Sequence, residues 1–219
     1  MQNTPMRLDN VSYVASHDQI SDVVNRIGSQ IGTPFVDGGI HPKFGTRNFT
    51  APLLNGQYIE VVCPLDHPAT DATPFGQAVK KKAAEGGGWL SWVLATNDIS
   101  LSEKRIKRNS IIGSRRLPDG SELVWKQIGV LAILEDPTLP FFIEWLSGIH
   151  PSKSHAPAAA ISKIFLSGDS SKTIEWIGTD PKNFLGSTMI EWLDQEKNLS
   201  YFGVNDIEFD LSGIKVLVN

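Results

Sequence analysis

Two apolar, β-forming stretches, Tyr58-Ile59-Glu60-Val61-Val62 and Phe141-Phe142-Ile143-Glu144-Trp145, each carry a single carboxylate. Each is followed by a His-Pro pair, His67-Pro68 after the first and His150-Pro151 after the second. A carboxylate inside an apolar strand is costly to bury unless it is paired, hydrogen-bonded or metal-bound. Two such strands, with their glutamates 84 residues apart, point to a duplicated module with a shared cleft.

The intervening sequence supports that reading. Residues 7–15 carry Leu8, Val11, Tyr13 and Val14 and read as a strand. Ile20, Val23, Val24, Ile27 and Ile31 then recur at helical spacing, with Asp18 in N-cap position and Gly32 as the stop. Gly38-Gly39 reads as turn punctuation. The segment from His41 to Asn48 reads as a polar loop running into a strand over 48–54. Asn55-Gly56 marks a hairpin, and the returning strand bears Glu60. This makes a β-α-β-β-β module over residues 7–64, with Phe35-Val36 or the following loop supplying the remaining strand.

After a proline-punctuated connector and a helix over 75–85, the order repeats over residues 75–151. Its strands are expected over 89–96, 111–116 and 140–146, with a long strand or bent pair over 122–134. Its helix is expected to be capped by Asp98 or Ser100 and to run to about Asn109, and its turn is Leu117-Pro118-Asp119-Gly120. Residues 158–219 offer a partial third module: a strand over 160–166, a helix near 170–177, and strands around 188–192, 202–209 and 214–218. The fold class expected is α+β, two βαβββ modules plus a partial third.

Glu60 and Glu144 lead the candidate residues. A divalent metal held by both, with imidazole or amide ligands from partner strands, would account for them. Pairing with an arginine, or a half-exposed strand, would account for them equally well. His41, near the small and hydrogen-bonding Thr46 and Asn48, is the second candidate, as metal ligand or acid-base group. His150 follows the strand of Glu144 and either reaches the cleft or caps the strand end. Arg115 and Arg116 precede a turn, where one facing inward would bind an anion bidentately. Trp125 offers an aromatic pocket wall or ordinary core. There is no phosphate loop, Gly-x-Ser-x-Gly elbow, His-Glu-x-x-His helix or Cys-x-x-Cys pair.

Composition excludes some classes. The single Cys63 rules out an internal disulfide and a cysteine metal cage. A net charge of -4 and a pI near 5.7 argue against nucleic acid as partner. No apolar run approaches the roughly 20 residues of a membrane span, and the first residues lack a signal-peptide pattern. A cytoplasmic location is the expectation.

As a set, these residues are similar to the glyoxalase-like domain proteins of the vicinal-oxygen-chelate superfamily. The similarity rests on Leu8-Asp9-Asn10-Val11, His41-Pro42, Gly45-Thr46-Arg47-Asn48 and Tyr58-Ile59-Glu60. It continues through Leu117-Pro118-Asp119-Gly120 ahead of Trp125, and Leu139-Pro140 leading into the strand of Glu144 with His150-Pro151. The resemblance implies paired modules with curved mixed sheets around an open cleft. It also implies metal ligands on the first and last strands of each module. The last-strand positions fall at Glu60 and Glu144; the first-strand positions fall at Asn10 and near Ser91, with His41 as a substitute ligand. The implied cofactor is Zn, Ni, Mn or Fe. One implied function is transformation of a small oxygenated metabolite by lyase, isomerase or dioxygenase chemistry, with His41 and Glu60 catalytic. Asn10, Thr46, Asn48, Arg116, Trp125, Glu144 and His150 would then contact the substrate. The other is metal-free ligand sequestration, as in bleomycin-resistance proteins. A homodimer is compatible with both.

Overall fold

The computed structural model describes residues 6–157 and 159–193, together with the backbone of 214–218. The chain opens with β1 (Met6–Val14), α1 (Ile20–Ile31), β2 (Val36–His41), β3 (Thr46–Pro52) and β4 (Tyr58–Pro64). Two helices, α2 (Pro68–Ala72) and α3 (Pro74–Ala84), lead to β5 (Gly88–Thr96) and α4 (Ser100–Ile106). Then come β6 (Ile111–Arg116), β7 (Glu122–Ile128) and β8 (Phe141–Trp145). The last elements are β9 (Ile161–Ser167), α5 (Ser170–Ile177), β10 (Met189–Leu193) and β11 (Ile214–Val218). The strand expected over 202–209 lies outside the described residues.

Eight strands close into a barrel in the order β1-β4-β3-β2-β6-β7-β8-β5. Each βαβββ unit therefore contributes four adjacent strands, its first paired in parallel with its last. The units join at two seams. Antiparallel pairing of β1 with β5 runs from Met6 opposite Thr96 to Val14 opposite Gly88. At the other seam, β2 meets β6 only at Ile40 opposite Arg116. The remaining strands form a separate sheet, β10-β9-β11.

Several local expectations are corrected. His41 ends a strand instead of opening a loop, because β2 reaches it through a bulge between Asp37 and Gly39. Gly38-Gly39 lies inside that strand. Gly39 has φ +91°, and a Cβ there would lie 1.8 Å from the Arg116 carbonyl oxygen, so the seam requires glycine. The segment after β7 is a 3-10 turn, Val130–Leu134, entered through Gly129 at φ 98°. The N-cap position of α1 is Gln19, without a side-chain cap, so Asp18 does not serve there. Gly32 does close α1, in the left-handed conformation.

Two apolar cores flank the barrel wall. Outside it, Ile20, Ile27 and Ile31 of α1 and Ile161, Ile164 and Leu166 of β9 share one cluster with Leu8, Ile59, Trp92 and Phe142. The second core gathers Phe75, Ala78 and Val79 of α3, Val130 and Ile133, and the strand residues Val14, Val62, Val93 and Phe141. Val14, Val62 and Phe141 lie at the same end of their strands, so α3 and the 3-10 turn plug that end of the barrel. At the opposite end stand Asp9, Tyr58 and Trp145, with His150 against them. Among the described residues no helix is long and apolar enough to cross a membrane.

Candidate functional site

Strand alternation sends every second side chain into the barrel. On β1 these include Asn10 and Ser12, on β4 Tyr58 and Glu60, and on β3 Asn48. On β8 they are Phe141, Ile143 and Trp145. Because Ser12 lies opposite Glu60 and Asn48 is a diagonal neighbour, three polar side chains meet. Ser12 Oγ donates to Glu60 Oε2 at 2.6 Å, and Asn48 Nδ2 donates to Oε1 at 2.5 Å. Asn10 Nδ2 donates to Ser12 Oγ at 3.2 Å. From β6, Arg115 Nη1 donates to Asn48 Oδ1 at 3.0 Å. Both ends of the Asn48 amide are thereby used, linking carboxylate and guanidinium.

Arg115 is only 3% exposed. Burial pulls its pKa below the ordinary arginine range, while Tyr58, Glu60 and Asp37 act in the opposite sense. Gly38 makes room for the pair: a Cβ there would lie 2.2 Å from Asn48 Oδ1 and 2.6 Å from Arg115 Nη1. Burial first, then the charges of Asp9 and Glu60, raises the Tyr58 pKa well above its usual value, so the phenol stays protonated.

His41 enters from the end of β2, with Nδ1 2.8 Å from Thr46 Oγ1. Its ring meets Phe44, Phe75 and Trp125 edge-on at 6.2, 6.2 and 5.7 Å. This dry surround, with Arg115 nearby, pushes its pKa down to about 3, so it is neutral at physiological pH. Trp125 Nε1 donates to Gln127 Oε1 at 2.7 Å, which orients that amide. Gln127 Nε2 and Arg115 Nε are left buried without a partner. Both residues, with Glu60, line an interior cavity of about 40 Å³. That is space for a few water-sized groups. Arg115 also lines a cleft of about 340 Å³ on its other side, together with Gly38 and His150.

Of the residues singled out in the sequence, Asn10, His41, Asn48, Glu60 and Trp125 line this cavity, and Thr46 holds His41. Arg116 does not join them: it is exposed, and the inward arginine is its neighbour Arg115. Glu144 points away from the interior. Its Oε2 accepts the Ile99 backbone N–H at 3.1 Å and lies 3.5 Å from Lys126 Nζ. His150 sits at the barrel end, where its ring meets Tyr58 and Trp145 at 5.6 and 5.1 Å. Ser12, Tyr58 and Gln127 were not anticipated. Trp125 lies opposite Gly113, so carrying the hairpin register through from Trp125 would have picked out Arg115 and Gln127.

The residues do not fit a divalent metal. Among the described residues no three His, Cys, Asp or Glu side chains gather in a metal-holding group. Glu60 and Glu144 do not converge. Glu60 already accepts a donor on each oxygen, Ser91 contributes only a hydroxyl, and the Arg115 cation shares the cavity.

Residues 8–181 match the model of a family described as glyoxalase-like domain. A solved hypothetical protein from Staphylococcus aureus is similar at a TM-score of 0.63 and 16% identity, covering 87% of each chain. That likeness is one of fold. A Streptomyces coelicolor methylmalonyl-CoA epimerase variant in complex with 2-nitronate-propionyl-CoA aligns more loosely. Its TM-score is 0.45 at 14% identity, over 68% of this chain and 99% of its own. The Mycobacterium tuberculosis methylmalonyl-CoA epimerase gives 0.41 at 13%, over 63% and 85%. No curated protein matches the sequence.

Proposed function

Because the chain belongs to the glyoxalase-like domain family, we propose that its barrel interior binds a small oxygenated metabolite and presents it to Glu60. The observation that carries this reading is the pair of buried donors without acceptors, Arg115 Nε and Gln127 Nε2, on one cavity. A buried N–H left unpaired costs about 1–3 kcal/mol. A carbonyl or carboxylate oxygen of a ligand would relieve both.

In this reading Arg115 and Gln127 hold the ligand oxygen and stabilise negative charge developing on it. Each Glu60 oxygen keeps a lone pair beyond the one engaged by Ser12 or Asn48. Glu60 is then the base that takes a proton from the carbon next to the carbonyl. The C–H electron pair becomes the C=C bond of an enolate, and the carbonyl oxygen carries the charge toward Arg115. Return of the proton to either face of the carbon gives epimerisation. In a 2-hydroxy carbonyl compound, delivery to the former carbonyl carbon, with the hydroxyl proton passing to the enolate oxygen, gives isomerisation. Phe44, Phe75, Trp125 and Phe141 keep the site dry. The small interior takes a head group, and the bulk of a larger ligand lies in the cleft beyond Arg115.

The test begins with calorimetric titration of small 2-oxo acids, 2-hydroxy acids and aldehydes into metal-stripped protein. Binding is expected in the wild type and a loss of at least about tenfold in Arg115→Gln and Gln127→Leu, the worth of roughly one hydrogen bond to a charged or buried group. Deuterium wash-in at the α-carbon of the bound compound then separates chemistry from sequestration. Exchange that disappears in Glu60→Gln supports proton transfer; binding without exchange assigns sequestration. Stoichiometric metal retained after dialysis and lost in Glu60→Gln would overturn the metal-free reading.

A further inference from the structure

A second cluster lies at the barrel end of Asp9, Tyr58 and Trp145, where the His150 ring packs on Tyr58 and Trp145 and also borders the cleft beyond Arg115. His150 leads into the 3-10 turn Pro151–Lys153, and its Nδ1 accepts the Ser152 backbone N–H at 3.2 Å. An Nδ1 that accepts this N–H leaves the ring proton on Nε2, which lies 3.1 Å from Asp9 Oδ1 and 3.3 Å from Arg7 Nη2. The Ser152 hydroxyl, 2.7 Å from the same Nδ1, donates to it. Asp9 is fully buried and is held in place by Arg7 at 2.6 Å and Trp145 Nε1 at 3.2 Å. A buried carboxylate thus orients an imidazole whose other nitrogen receives a serine hydroxyl. That constellation activates a serine as nucleophile, here with the two ring nitrogens exchanged relative to the protease arrangement.

The first module contains a natural control. His67-Pro68-Ala69 makes the same type of cap, with His67 Nδ1 accepting the Ala69 N–H at 3.1 Å. Alanine suffices for that cap, so the turn does not require a hydroxyl at 152. Ser152 and His150 open onto a cleft of about 480 Å³, whose lining also includes Arg7, which is paired with Asp9, Lys153 and the anionic Glu144.

We propose that Ser152 is the nucleophile of a second site, taking acyl groups from small esters or thioesters. Ser152 Oγ attacks the acyl carbon, and its proton passes to His150 Nδ1. The Asp9 carboxylate offsets the imidazolium charge. The bond to the leaving alcohol or thiol breaks, and that group departs with the proton from Nδ1. Water, activated by the same nitrogen, then releases the acid and restores Ser152.

The experiment treats the full 219-residue chain with a fluorophosphonate and maps the adduct by peptide mass spectrometry. Hydrolysis of p-nitrophenyl acetate is followed in parallel. One adduct on Ser152 is expected, absent in Ser152→Ala and retained in Ser154→Ala. Ester hydrolysis by Ser152→Ala should fall to the level given by free imidazole. Thermal unfolding checks folding, and Ala69 indicates that the alanine variant keeps its turn. Asp9→Asn should slow labelling while leaving its site unchanged. No adduct, labelling that persists elsewhere in Ser152→Ala, or undiminished hydrolysis in that variant would overturn the proposal. None of these outcomes depends on ligand binding in the interior.

Discussion

Replacing Glu60 by glutamine keeps the shape of the side chain and removes its charge, and the local geometry sets the size of the effect. The carboxylate is 7% exposed and accepts hydrogen bonds of 2.6 and 2.5 Å from Ser12 and Asn48. A hydrogen bond to a charged group contributes about 1.5–3 kcal/mol, against about 0.5–1.5 kcal/mol for a neutral pair. Glutamine can retain both bonds if its oxygen faces Asn48 and its nitrogen faces Ser12, whose hydroxyl turns from donor to acceptor. The loss of charge assistance then amounts to roughly 2–3 kcal/mol. Burying an amide in place of a carboxylate recovers part of this, but Arg115 stays buried with one fewer counter-charge. The net expectation is a destabilisation of about 1–2 kcal/mol, a fall in Tm of roughly 2–8 °C for a domain of this size. Glu60→Ala strips both donors of their acceptor and leaves a void, which raises the cost to about 3–5 kcal/mol. Calorimetric melting of the two variants at pH 7 measures the difference. A glutamine variant at least as stable as the wild type would show that the carboxylate is not held as a charged acceptor.

Two further expectations concern the same interior. The unfolded chain protonates His41 near the ordinary histidine value of about 6.5, whereas the folded chain resists until about 3. The stability conferred by the neutral ring is complete above the unfolded pKa and is lost as pH falls through that window, on the order of 4–5 kcal/mol at its limit. Urea unfolding of His41→Gln between pH 7 and pH 4 should give a visibly flatter profile, and an unchanged slope would remove His41 as the source. Gly38→Ala would drive a methyl group into the Asn48–Arg115 pair, so it should lower both Tm and interior ligand affinity. Unaltered affinity in calorimetric titration would mean that the pair does not contact ligand.

How much of this was legible beforehand depended on the range of the interaction. The spacing of Ile20, Val23, Val24, Ile27 and Ile31 was enough for α1, and Gly32 for its end, because both are decided within one helix. The two βαβββ patterns followed from strand composition and turn chemistry, and a carboxylate within Tyr58–Pro64 marked a buried polar centre. His41 was misread as a loop residue because the bulge at Asp37 and Gly39 resembles a turn in local sequence. Glu144 looked equivalent to Glu60 because both follow isoleucine, yet alternation on β8 is set by Phe141, Ile143 and Trp145, which face the cavity. One residue of register exchanges the two faces of a strand, and a local pattern apolar on both faces does not specify it.

By itself, then, the sequence determined the longer helices, the modular strand order, and the presence of a carboxylate that required partners, but not the short helix Pro68–Ala72 inside the proline-punctuated connector. Only the tertiary structure decided which partners it found and which arginine faced inward. It also decided that Asp9 meets a histidine 141 residues away. Those outcomes rest on closure of the barrel through the β1–β5 and β2–β6 seams. The free energy of that closure comes from burying side chains distant in sequence, so no window of neighbouring residues contains it.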